Sequence, residues 1–526
     1  MKKNLLVLLF SLVITIPNAL AQQFEGNGVT VNLSDPISTK KNVMSYLILG
    51  ENDVIFSRNW IKKKPYIVKY NEDMEQEESV LLTPDIVPKR SYIESIISFN
   101  GGLVVFYSKL DKASRTNDLF YVTLSQDDLS TLQTETKVFG LTYTSKRNSG
   151  SFDISISRDS SKLLAFANTP NKRAKDARDE VSVVVMDENF EILWDDVLTI
   201  PYADRDFGIS QYDVDNQGNV LILGKYYKEK SARTKGKPRG TYKLIAFYEE
   251  GSDMVEYDLK LSQKFISEIN YFIKDNGDIL CSGLYSNSTI SGAAGAFYLE
   301  IDSESQDILV ETLEEFDMDF LTQGLTEKQT KKTKKRASKG KNVELYSYSI
   351  RGLIEKEDGG LVMVAEQYYI RVTTTTTTNA NGTTTTRTTY HYYYNDIIVV
   401  SFDEEGEIEW HEKILKKQYS TNDGGRYSGF NLVISDGKMN FLFVDNGYSV
   451  AGLDYDKKTD KEAYKGLHFV HASMTFDGEK EVQSLGMIER KQLIPVPKEF
   501  VSMRDGRSTV YLVGRREYKL GRVIFD

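Results

Sequence analysis

The stretch Glu357-Asp358-Gly359-Gly360-Leu361-Val362-Met363-Val364-Ala365 decides the fold, because it joins a tight polar turn to a short apolar strand. The same order of turn and strand occurs at Asp215–Gly224 and again at Asp275–Gly283. Degenerate copies of the turn begin at Asn52, Asn100, Asp159, Asp436 and Asp505. The copies recur roughly every 60 residues, and a period of this size indicates a repeat architecture.

Each repeat reads as four short strands, which predicts an all-β chain folded as a single β-propeller. The fullest repeat places its strands near Tyr348–Leu353, Gly360–Glu366, Asp396–Phe402 and Ile408–Leu415. Eight four-stranded blades are favoured, with seven as the alternative, because the terminal repeats are irregular. The innermost strands are predicted to begin near Val43, Tyr92, Asp153, Ile209, Ile269, Tyr348, Ser428 and Phe500. The segment Gly28–Leu33 is predicted to complete the last blade, so that N- and C-terminal strands pair and close the ring.

The fullest repeat also resembles known sequences. Residues 357–362, 396–403 and 406–410 are similar to repeats in exported bacterial β-propellers of the PQQ-like and related superfamilies. Asp187 precedes Trp194 by the same seven residues that separate Asp403 from Trp410. The resemblance implies the fold only. The Ala and Thr-Gly of the quinoprotein blade are missing and the Asp-to-Gly gap is one residue short, so no quinone or other cofactor is predicted.

Residues 1–21 have the pattern of a signal peptide. Lys2 and Lys3 supply positive charge, Leu5–Ile16 is a short apolar run, and Ala19-Leu20-Ala21 supplies the cleavage site. The mature propeller is therefore expected to span 22–526 and to be exported to a bacterial periplasm or the exterior. No Cys follows the cleavage site, so a lipoprotein is not expected. No apolar run is long enough to cross a bilayer, so no transmembrane segment is predicted.

Composition limits the partners and the sources of stability. The formal net charge of −10 argues against nucleic acid as a partner. The single cysteine, Cys281, cannot form an internal disulfide bond, and its place in an apolar strand predicts an inert buried thiol.

Two segments interrupt the repeat. Residues 328–341 are rich in lysine, and like charges at this density predict a basic, flexible link between the fifth and sixth blades. Residues 371–395 are rich in Thr and Tyr around Asn379-Ala380-Asn381-Gly382, which predicts a long hairpin projecting from the sixth blade.

The charges separate by the type of connection. Turns between the third and fourth strands of a blade are rich in Asp and Glu, whereas the connections at the opposite ends of the strands are mostly basic. A basic face of this kind attracts anionic partners. The candidate binding residues on it are Lys62, Lys63, Lys172, Arg173, Lys235, Lys237, Arg239, Lys334, Lys335 and Arg336. The candidate contacts on the hairpin are Arg387, Tyr390, Tyr392 and Tyr393.

No pattern of catalytic or metal-binding residues emerges. His468 and His471 lie in an extended segment, where residues three apart point to opposite faces, so a metal site is not predicted. The favoured function is an exported, non-enzymatic interaction scaffold that binds an anionic glycan, a lipid head group or an acidic envelope protein through the basic face. Two alternatives stay open: a carbohydrate-active hydrolase or lyase with an axial pocket, and a structural subunit of an envelope complex.

Overall fold

The computed structural model describes residues 23–168, 178–227, 240–257, 259, 261, 264–287, 292–451 and 466–526. The predicted signal peptide (1–21) lies outside the described residues. The same holds for five of the candidate basic residues, namely Lys172, Arg173, Lys235, Lys237 and Arg239.

Four-stranded antiparallel sheets make up most of the described chain, which confirms the predicted strand-rich architecture. Three short strands come first: β1 (Phe24–Gly26), β2 (Val29–Leu33) and β3 (Ile37–Ser38). Sheet 1 contains β4 (Asn42–Leu49), β5 (Ile55–Ile61), β6 (Lys64–Tyr70) and β7 (Gln76–Leu81). Sheet 2 contains β8 (Tyr92–Phe99), β9 (Gly102–Asp111), β10 (Thr116–Ser125) and β11 (Thr131–Thr142). Sheet 3 contains β12 (Phe152–Ile156), β13 (Lys162–Asn168), β14 (Arg178–Asp187) and β15 (Ile192–Ala203).

The next sheets repeat this order. Sheet 4 contains β16 (Phe207–Val214), β17 (Val220–Tyr226), β18 (Thr241–Tyr248) and β19 (Asp253–Tyr257). Sheet 5 contains β20 (Phe265–Ile273), β21 (Ile279–Ser286), β23 (Gly295–Ile301) and β24 (Ile308–Glu315), while β22 (Gly292–Ala293) pairs with β25 (Leu345–Tyr346). Sheet 6 contains β26 (Tyr348–Glu355), β27 (Leu361–Thr378), β28 (Thr384–Phe402) and β29 (Ile408–Thr421). Sheet 7 contains β30 (Phe430–Ser435), β31 (Lys438–Asp445), β32 (Leu467–Thr475) and β33 (Lys480–Ile488).

The terminal sheet joins both ends of the described chain. It contains β34 (Ile494–Pro495), β35 (Ser508–Val513) and β36 (Glu517–Phe525) in the order β1-β2-β36-β35-β34, with β3 also paired to β36. The predicted pairing of the terminal strands is present, from Val29↔Phe525 to Leu33↔Gly521. The innermost strand predicted to begin near Phe500 is not formed: β34 ends at Pro495, a 3-10 turn follows at Pro497–Glu499, and beyond it Ser502 makes only an isolated bridge with Ser508.

Strand β27 shows why the central strands are continuous apolar runs. Its residues Leu361, Met363 and Ala365 pack in a cluster with sheet 5, while Val362 and Val364 pack in a cluster with sheet 7. Successive side chains point to opposite faces of a strand. Both faces are therefore buried, and every position along the run has to be apolar.

Other core clusters also join sheets that follow each other in the chain. Phe166 of sheet 3 stacks on Tyr212 of sheet 4 with ring centroids 4.0 Å apart. One cluster contains Leu442 of sheet 7, Val510 of the terminal sheet and Ile55 of sheet 1. The terminal sheet therefore packs between the last and the first of the seven chain-ordered sheets.

Trp194 and Trp410 each form a hydrogen bond between their own sheet and a turn of the following sheet. Trp194 Nε1 of sheet 3 donates a 3.0 Å hydrogen bond to the carbonyl of Gly218, in the first turn of sheet 4. Trp410 Nε1 of sheet 6 donates a 2.8 Å hydrogen bond to the carbonyl of Phe476, in the last turn of sheet 7. Each tryptophan therefore bonds to a turn of the following sheet, but the two turns differ, so the Asp-to-Trp spacing does not mark one shared contact.

The connections lie at two opposite ends of the strands. First and third turns of neighbouring sheets touch: Glu51 N donates to Gln126 Oε1 at 2.8 Å, and Asn100 Nδ2 donates to the carbonyl of Glu188 at 2.9 Å. We call this side the turn face. The opposite side, with the second connection of each sheet and the links between sheets, is the loop face.

A buried histidine connects sheet 7 to the turn between β1 and β2. His471 Nε2 lies 2.9 Å from Asn440 Oδ1, and its Nδ1 lies 3.1 Å from Gln483 Nε2. Because the amide oxygen only accepts, Nε2 carries the proton and Nδ1 accepts from Gln483. Gln483 Nε2 also donates to the carbonyl of Asn27 at 2.8 Å. Burial, assisted by the ammonium of Lys438, lowers the pKa of His471 from 6.5 to about 4.

This pKa predicts a loss of stability in acid. The folded protein binds fewer protons at His471 than the unfolded chain, so the contribution is complete above pH 6.5 and is lost as the pH falls through about 4. Between pH 7 and pH 4 the wild type should lose roughly 3 kcal/mol more unfolding free energy than His471→Gln. Urea unfolding of both proteins at the two pH values measures the difference. Equal losses would show that His471 does not stay neutral in the fold.

Candidate functional site

Both described groups of candidate basic residues lie on the loop face. Lys62 and Lys63 form the turn between β5 and β6, with φ values of 50° and 68°. Lys334, Lys335 and Arg336 lie in the link between sheets 5 and 6. The two groups therefore belong to different elements, one on sheet 1 and one between sheets 5 and 6.

The link at 328–341 differs from the prediction, because most of it is helical. Helix α1 spans Met318–Thr322 and helix α2 spans Glu327–Ala337. Thr326 and Gln329 form a capping box, in which Gln329 Oε1 accepts from Thr326 N at 3.0 Å. The basic residues in the last turn are stabilised by the helix dipole. Repulsion between solvated lysines is screened, so it does not prevent the helix.

Helix α2 is basic and mostly exposed, and Thr330, Thr333 and Ala337 on one of its sides are partly covered. None of its residues is buried, and its contact with α1 is an ion pair of 3.0 Å between Lys334 Nζ and Asp319 Oδ1. The sequence from 327 to 341 holds eight Lys or Arg residues and one carboxylate, Glu327. Among the candidate basic residues that the structure describes, those of this segment therefore lie in the highest density of positive charge.

The separation of charge between the two faces is incomplete. On the turn face, basic side chains neutralise several carboxylates: Arg507 pairs with Glu72 at 2.9 Å, and Lys274 pairs with Glu300 at 2.8 Å. The strand ends near the loop face carry buried acidic side chains, among them Glu366 and Asp445. Acidic and basic residues thus mix on each side more than the sequence alone suggested.

The predicted hairpin is present and is longer than expected. Strands β27 and β28 pair from Tyr368↔Tyr394 to Thr378↔Thr384, and we call this projection the ribbon. Gly382, with φ of 75°, closes its tip by donating to the carbonyl of Asn379 at 3.0 Å. Strand β29 runs beside the base as far as His391↔Thr421. The base of the ribbon is therefore three-stranded, and only its outer part is a two-stranded hairpin.

The candidate contacts on the ribbon divide between its two sides. Side chains alternate along a strand, so Arg387 and Tyr393 point to one side while Tyr390 and Tyr392 point to the other. Tyr390 is 46% exposed. The structure therefore does not bring these four side chains into one site.

A buried ion pair lies beneath the ribbon. Lys416 Nζ, fully buried, donates to Glu366 Oε1 at 2.6 Å and to Gln418 Oε1 at 2.8 Å. Arg351 pairs with the same Glu366 carboxylate at 2.8 Å. Burial lowers the pKa of Lys416, and the attraction of Glu366 opposes that shift. Nothing in the sequence predicts this pair, because a lysine in a strand normally faces solvent.

A cleft of about 660 Å³ lies beside the ribbon base and faces sheet 7. Three tyrosines from adjacent strands line it: Tyr369, Tyr393 and Tyr419. Centroids of Tyr369 and Tyr393 are 4.6 Å apart at 14°, and those of Tyr393 and Tyr419 are 5.0 Å apart at 39°. We call this site the tyrosine cleft. Of these three tyrosines, the sequence analysis proposed only Tyr393. Tyr369 and Tyr419 lie beside it because the strand register pairs them with Tyr393.

A second cleft, of about 610 Å³, separates helix α2 from sheet 6. Arg336 and Lys341 line it together with Lys413 and Asp396. Lys413 Nζ donates to the carbonyl of Phe320 at 3.0 Å, so its charge holds α1 against the sheet. Burial lowers the pKa of Lys413 and raises that of Asp396. This cleft connects the basic helix to the buried charges of sheet 6.

Carboxylates also occur on the first strands of four consecutive sheets: Glu94, Asp153, Asp213 and Glu268. Burial raises the pKa of Glu94, Asp213 and Glu268 alike. Besides burial, the charge of Asp153 contributes to the raised pKa of Glu94. Among the described residues, no group of three or more His, Cys, Asp or Glu side chains is placed to hold a metal ion.

Cys281 is fully buried in β21, as predicted, and burial raises the pKa of its thiol to about 12. The described helices are all too short or too polar to cross a membrane.

No family model matches this chain, and no curated protein matches it. Three solved structures are similar at a distance. A protein of unknown function from Bacteroides caccae is 12% identical over 70% of this chain and 93% of that chain, with a TM-score of 0.28. Prolyl oligopeptidase B from Galerina marginata is 9% identical over 91% of this chain and 56% of the enzyme, with a TM-score of 0.38. The β-propeller domain of the Trilobed protease from Pyrococcus furiosus is 11% identical over 87% of this chain and 95% of that domain, with a TM-score of 0.32. These likenesses assign no activity, ligand or partner to the chain.

Because the ion pair is buried, removing one partner should lower the unfolding free energy more than removing both charges. Lys416→Met should lower the unfolding free energy by about 3 kcal/mol, because it leaves the Glu366 carboxylate buried with less compensation. The double variant Glu366→Gln/Lys416→Met should recover much of that loss. Lys417→Met, at the neighbouring exposed position, is the matched control and should be close to wild type. Urea unfolding measures all four proteins, and a Lys416→Met variant no weaker than the control would contradict a buried ion pair.

Proposed function

We propose that the eight sheets are the blades of one β-propeller, closed where the terminal sheet packs between sheets 7 and 1. We propose further that the protein is exported and non-enzymatic, and that it binds an anionic glycan through the loop face. Support for the ring comes from the core clusters, which join consecutive sheets and include one shared by sheets 7, 1 and the terminal sheet. Support for the binding role comes from helix α2.

Helix α2 carries the proposal because its Lys and Arg side chains are exposed, whereas only the side with Thr330, Thr333 and Ala337 is partly covered. The side chain of Lys331 is 82% exposed, and no residue between Glu327 and Ala337 is buried. With 3.6 residues per turn, Lys328, Lys332 and Lys335 fall on one side of the helix, about one cation per 5.4 Å turn. A linear polyanion can follow such a row of charges.

The composition of α2 favours a glycan over the other anionic partners. A helix that lies in a membrane interface needs an apolar side. Ala337 is the sole apolar residue of α2, so a lipid head group is the weaker choice. Lys62 and Lys63 on sheet 1, and Arg387 on the ribbon, remain predicted secondary contacts.

A subunit of an envelope complex is the second candidate function. Ile370, Val372 and Tyr390 lie on one side of the ribbon and are 45%, 52% and 46% exposed. Neighbouring exposed apolar side chains of this kind are typical of protein contacts. Binding of the purified protein to polyanions, without any partner, distinguishes the first candidate from the second.

The electrostatic role predicts salt-dependent binding. Retention on polygalacturonate or heparin should fall steeply between about 50 mM and 300 mM NaCl. Lys332→Glu/Lys335→Glu should lower the affinity at low salt roughly tenfold, because it reverses two charges on the exposed helix. The control Lys438→Glu/Arg504→Glu makes the same change in net charge on the turn face and should bind nearly as well as wild type. Equal losses in the two double variants would mean that only net charge matters, and retention on neither polymer would reject the proposal.

Export has its own test. In a bacterial host, the protein recovered from the periplasm or medium should begin at Gln22 by mass spectrometry, because Ala21 completes the cleavage site. Lys2→Glu/Lys3→Glu should shift protein to the cytoplasm with Met1 retained. Export of that variant at the wild-type level would show that residues 1–21 do not act as a signal peptide.

A further inference from the structure

The tyrosine cleft combines an aromatic floor with polar side chains around it. Tyr369, Tyr393 and Tyr419 occupy paired positions on β27, β28 and β29, so their rings stand on the same side of the sheet. Tyr419 is 55% exposed, on the outermost of the three strands. Tyr393 lies between the other two rings, with centroids 4.6 Å from Tyr369 and 5.0 Å from Tyr419. The stack therefore exposes ring edges along the cleft, and Tyr419 at its end is the ring most open to solvent.

Polar groups of both charge signs surround this floor. Asn395 and the exposed Lys417 are paired positions on β28 and β29, next to the tyrosines. Asp423 lies at the rim, and its Oδ1 accepts from Ser420 Oγ at 2.7 Å and from Gly425 N at 2.9 Å. Val444 and Ile494 lie on the remaining wall. A second carboxylate, Asp445, also lines the cleft and accepts hydrogen bonds from the backbone N–H groups of Lys417 and Tyr448. A ligand in this cleft meets aromatic rings, an amide, carboxylates and the ammonium group of Lys417.

The floor is held in place before any ligand binds. Tyr419 OH lies 2.8 Å from His391 Nδ1, and His391 Nε2 lies 2.8 Å from Thr373 Oγ1, so the three ribbon strands are linked by side chains. Below them, Lys498 Nζ donates to Tyr394 OH at 2.7 Å. A rigid site loses less conformational entropy on binding than a mobile one.

Cross-strand tyrosines also stabilise ribbons, so stacking alone does not require a ligand. The cleft supplies the second observation. Its volume of about 660 Å³ lies within the usual range for small-molecule sites. Packing of the ribbon alone would not place an amide, a carboxylate and an ammonium group around the exposed rings.

We propose that the tyrosine cleft is a saccharide-binding subsite for an acidic oligosaccharide. One pyranose ring lies with its C–H face on Tyr419, the exposed end of the stack; its hydroxyl groups bind Asn395 and Asp423, and Lys417 binds an anionic substituent. The inference rests on the proposed glycan-binding function and names a site for it. It differs from the basic helix because its contacts are short-range and depend on ring geometry.

The test uses the full mature chain and a panel of uronate, sulfated and phosphorylated oligosaccharides. Calorimetry should detect binding to at least one member, and saturation of the aromatic protons should transfer to the C–H protons of the sugar. Tyr419→Ala should lower the affinity about tenfold with little change in melting temperature, because Tyr419 is the most exposed of the three rings. Tyr419→Leu, which keeps apolar packing without the ring, should lose a similar amount.

Tyr92→Ala is the matched control, since Tyr92 is a 70% exposed tyrosine on sheet 2. It should bind like wild type. The inference is overturned if no member of the panel binds, if Tyr419→Ala binds like Tyr92→Ala, or if no saturation reaches the sugar. If the subsite test fails but Lys332→Glu/Lys335→Glu still loses polyanion binding, the subsite is rejected and the proposed function is supported. Loss in Tyr419→Ala without loss in the helix variant supports the subsite and rejects the electrostatic function.

Discussion

The sheets of this protein depend on burial of both their faces. In β21, Ile279 and Cys281 pack toward sheet 4, while Leu280 and Leu284 pack toward sheet 6. A sheet with two apolar faces is stable only when a neighbour covers each of them. The first and last sheets of an open row would each expose one such face. Sheets 7 and 1 share a core cluster with the terminal sheet, in which β2 pairs with β36, and the proposed ring closure would remove this exposure.

This constraint restricts where function can be located. The faces of the sheets are used for packing, so variation is left to the connections at the strand ends. Sheet 6 shows the largest variation: its entry link contains α1 and α2, its central strands extend into the ribbon, and two clefts flank it. The buried Lys416–Glu366 pair lies below all of these elements. The pair joins β29 to β27 across β28, at the base from which the ribbon projects.

The sequence predicts most of the sheets because their pattern is local. Turn residues followed by an apolar run placed the first strands near Tyr92, Asp153 and Tyr348, where β8, β12 and β26 begin within one residue. Helix α2 was not predicted, although its signal is also local. The signal is the capping box formed by Thr326 and Gln329, which stabilises the helix against the screened repulsion among its lysines. The density of lysines in this segment therefore did not indicate whether its backbone forms a regular helix.

The tyrosine cleft was missed for a different reason. Tyr369, Tyr393 and Tyr419 are far apart in sequence and meet only through the register of three strands. That register includes shifts between Glu366 and Tyr368 and between Asn395 and Ile397, and a shift of one residue moves a side chain to the other face. Single-strand patterns do not contain this information. The buried Lys416 was missed likewise, since its partner Glu366 is two strands away in the sheet.

The two proposed contacts act over different ranges, and this difference gives each a separate role. Charges on α2 act over about 10 Å at moderate salt, so under the proposal they would raise the rate at which an anionic chain arrives. Stacking in the tyrosine cleft acts only on contact, so it would set how long a bound sugar remains. The overall charge of −10 repels an anionic ligand, and the exposed cations of α2 would offset this repulsion locally. A protein with the basic helix but without the cleft would bind any polyanion. A protein with the cleft but without the basic helix would bind its ligand slowly.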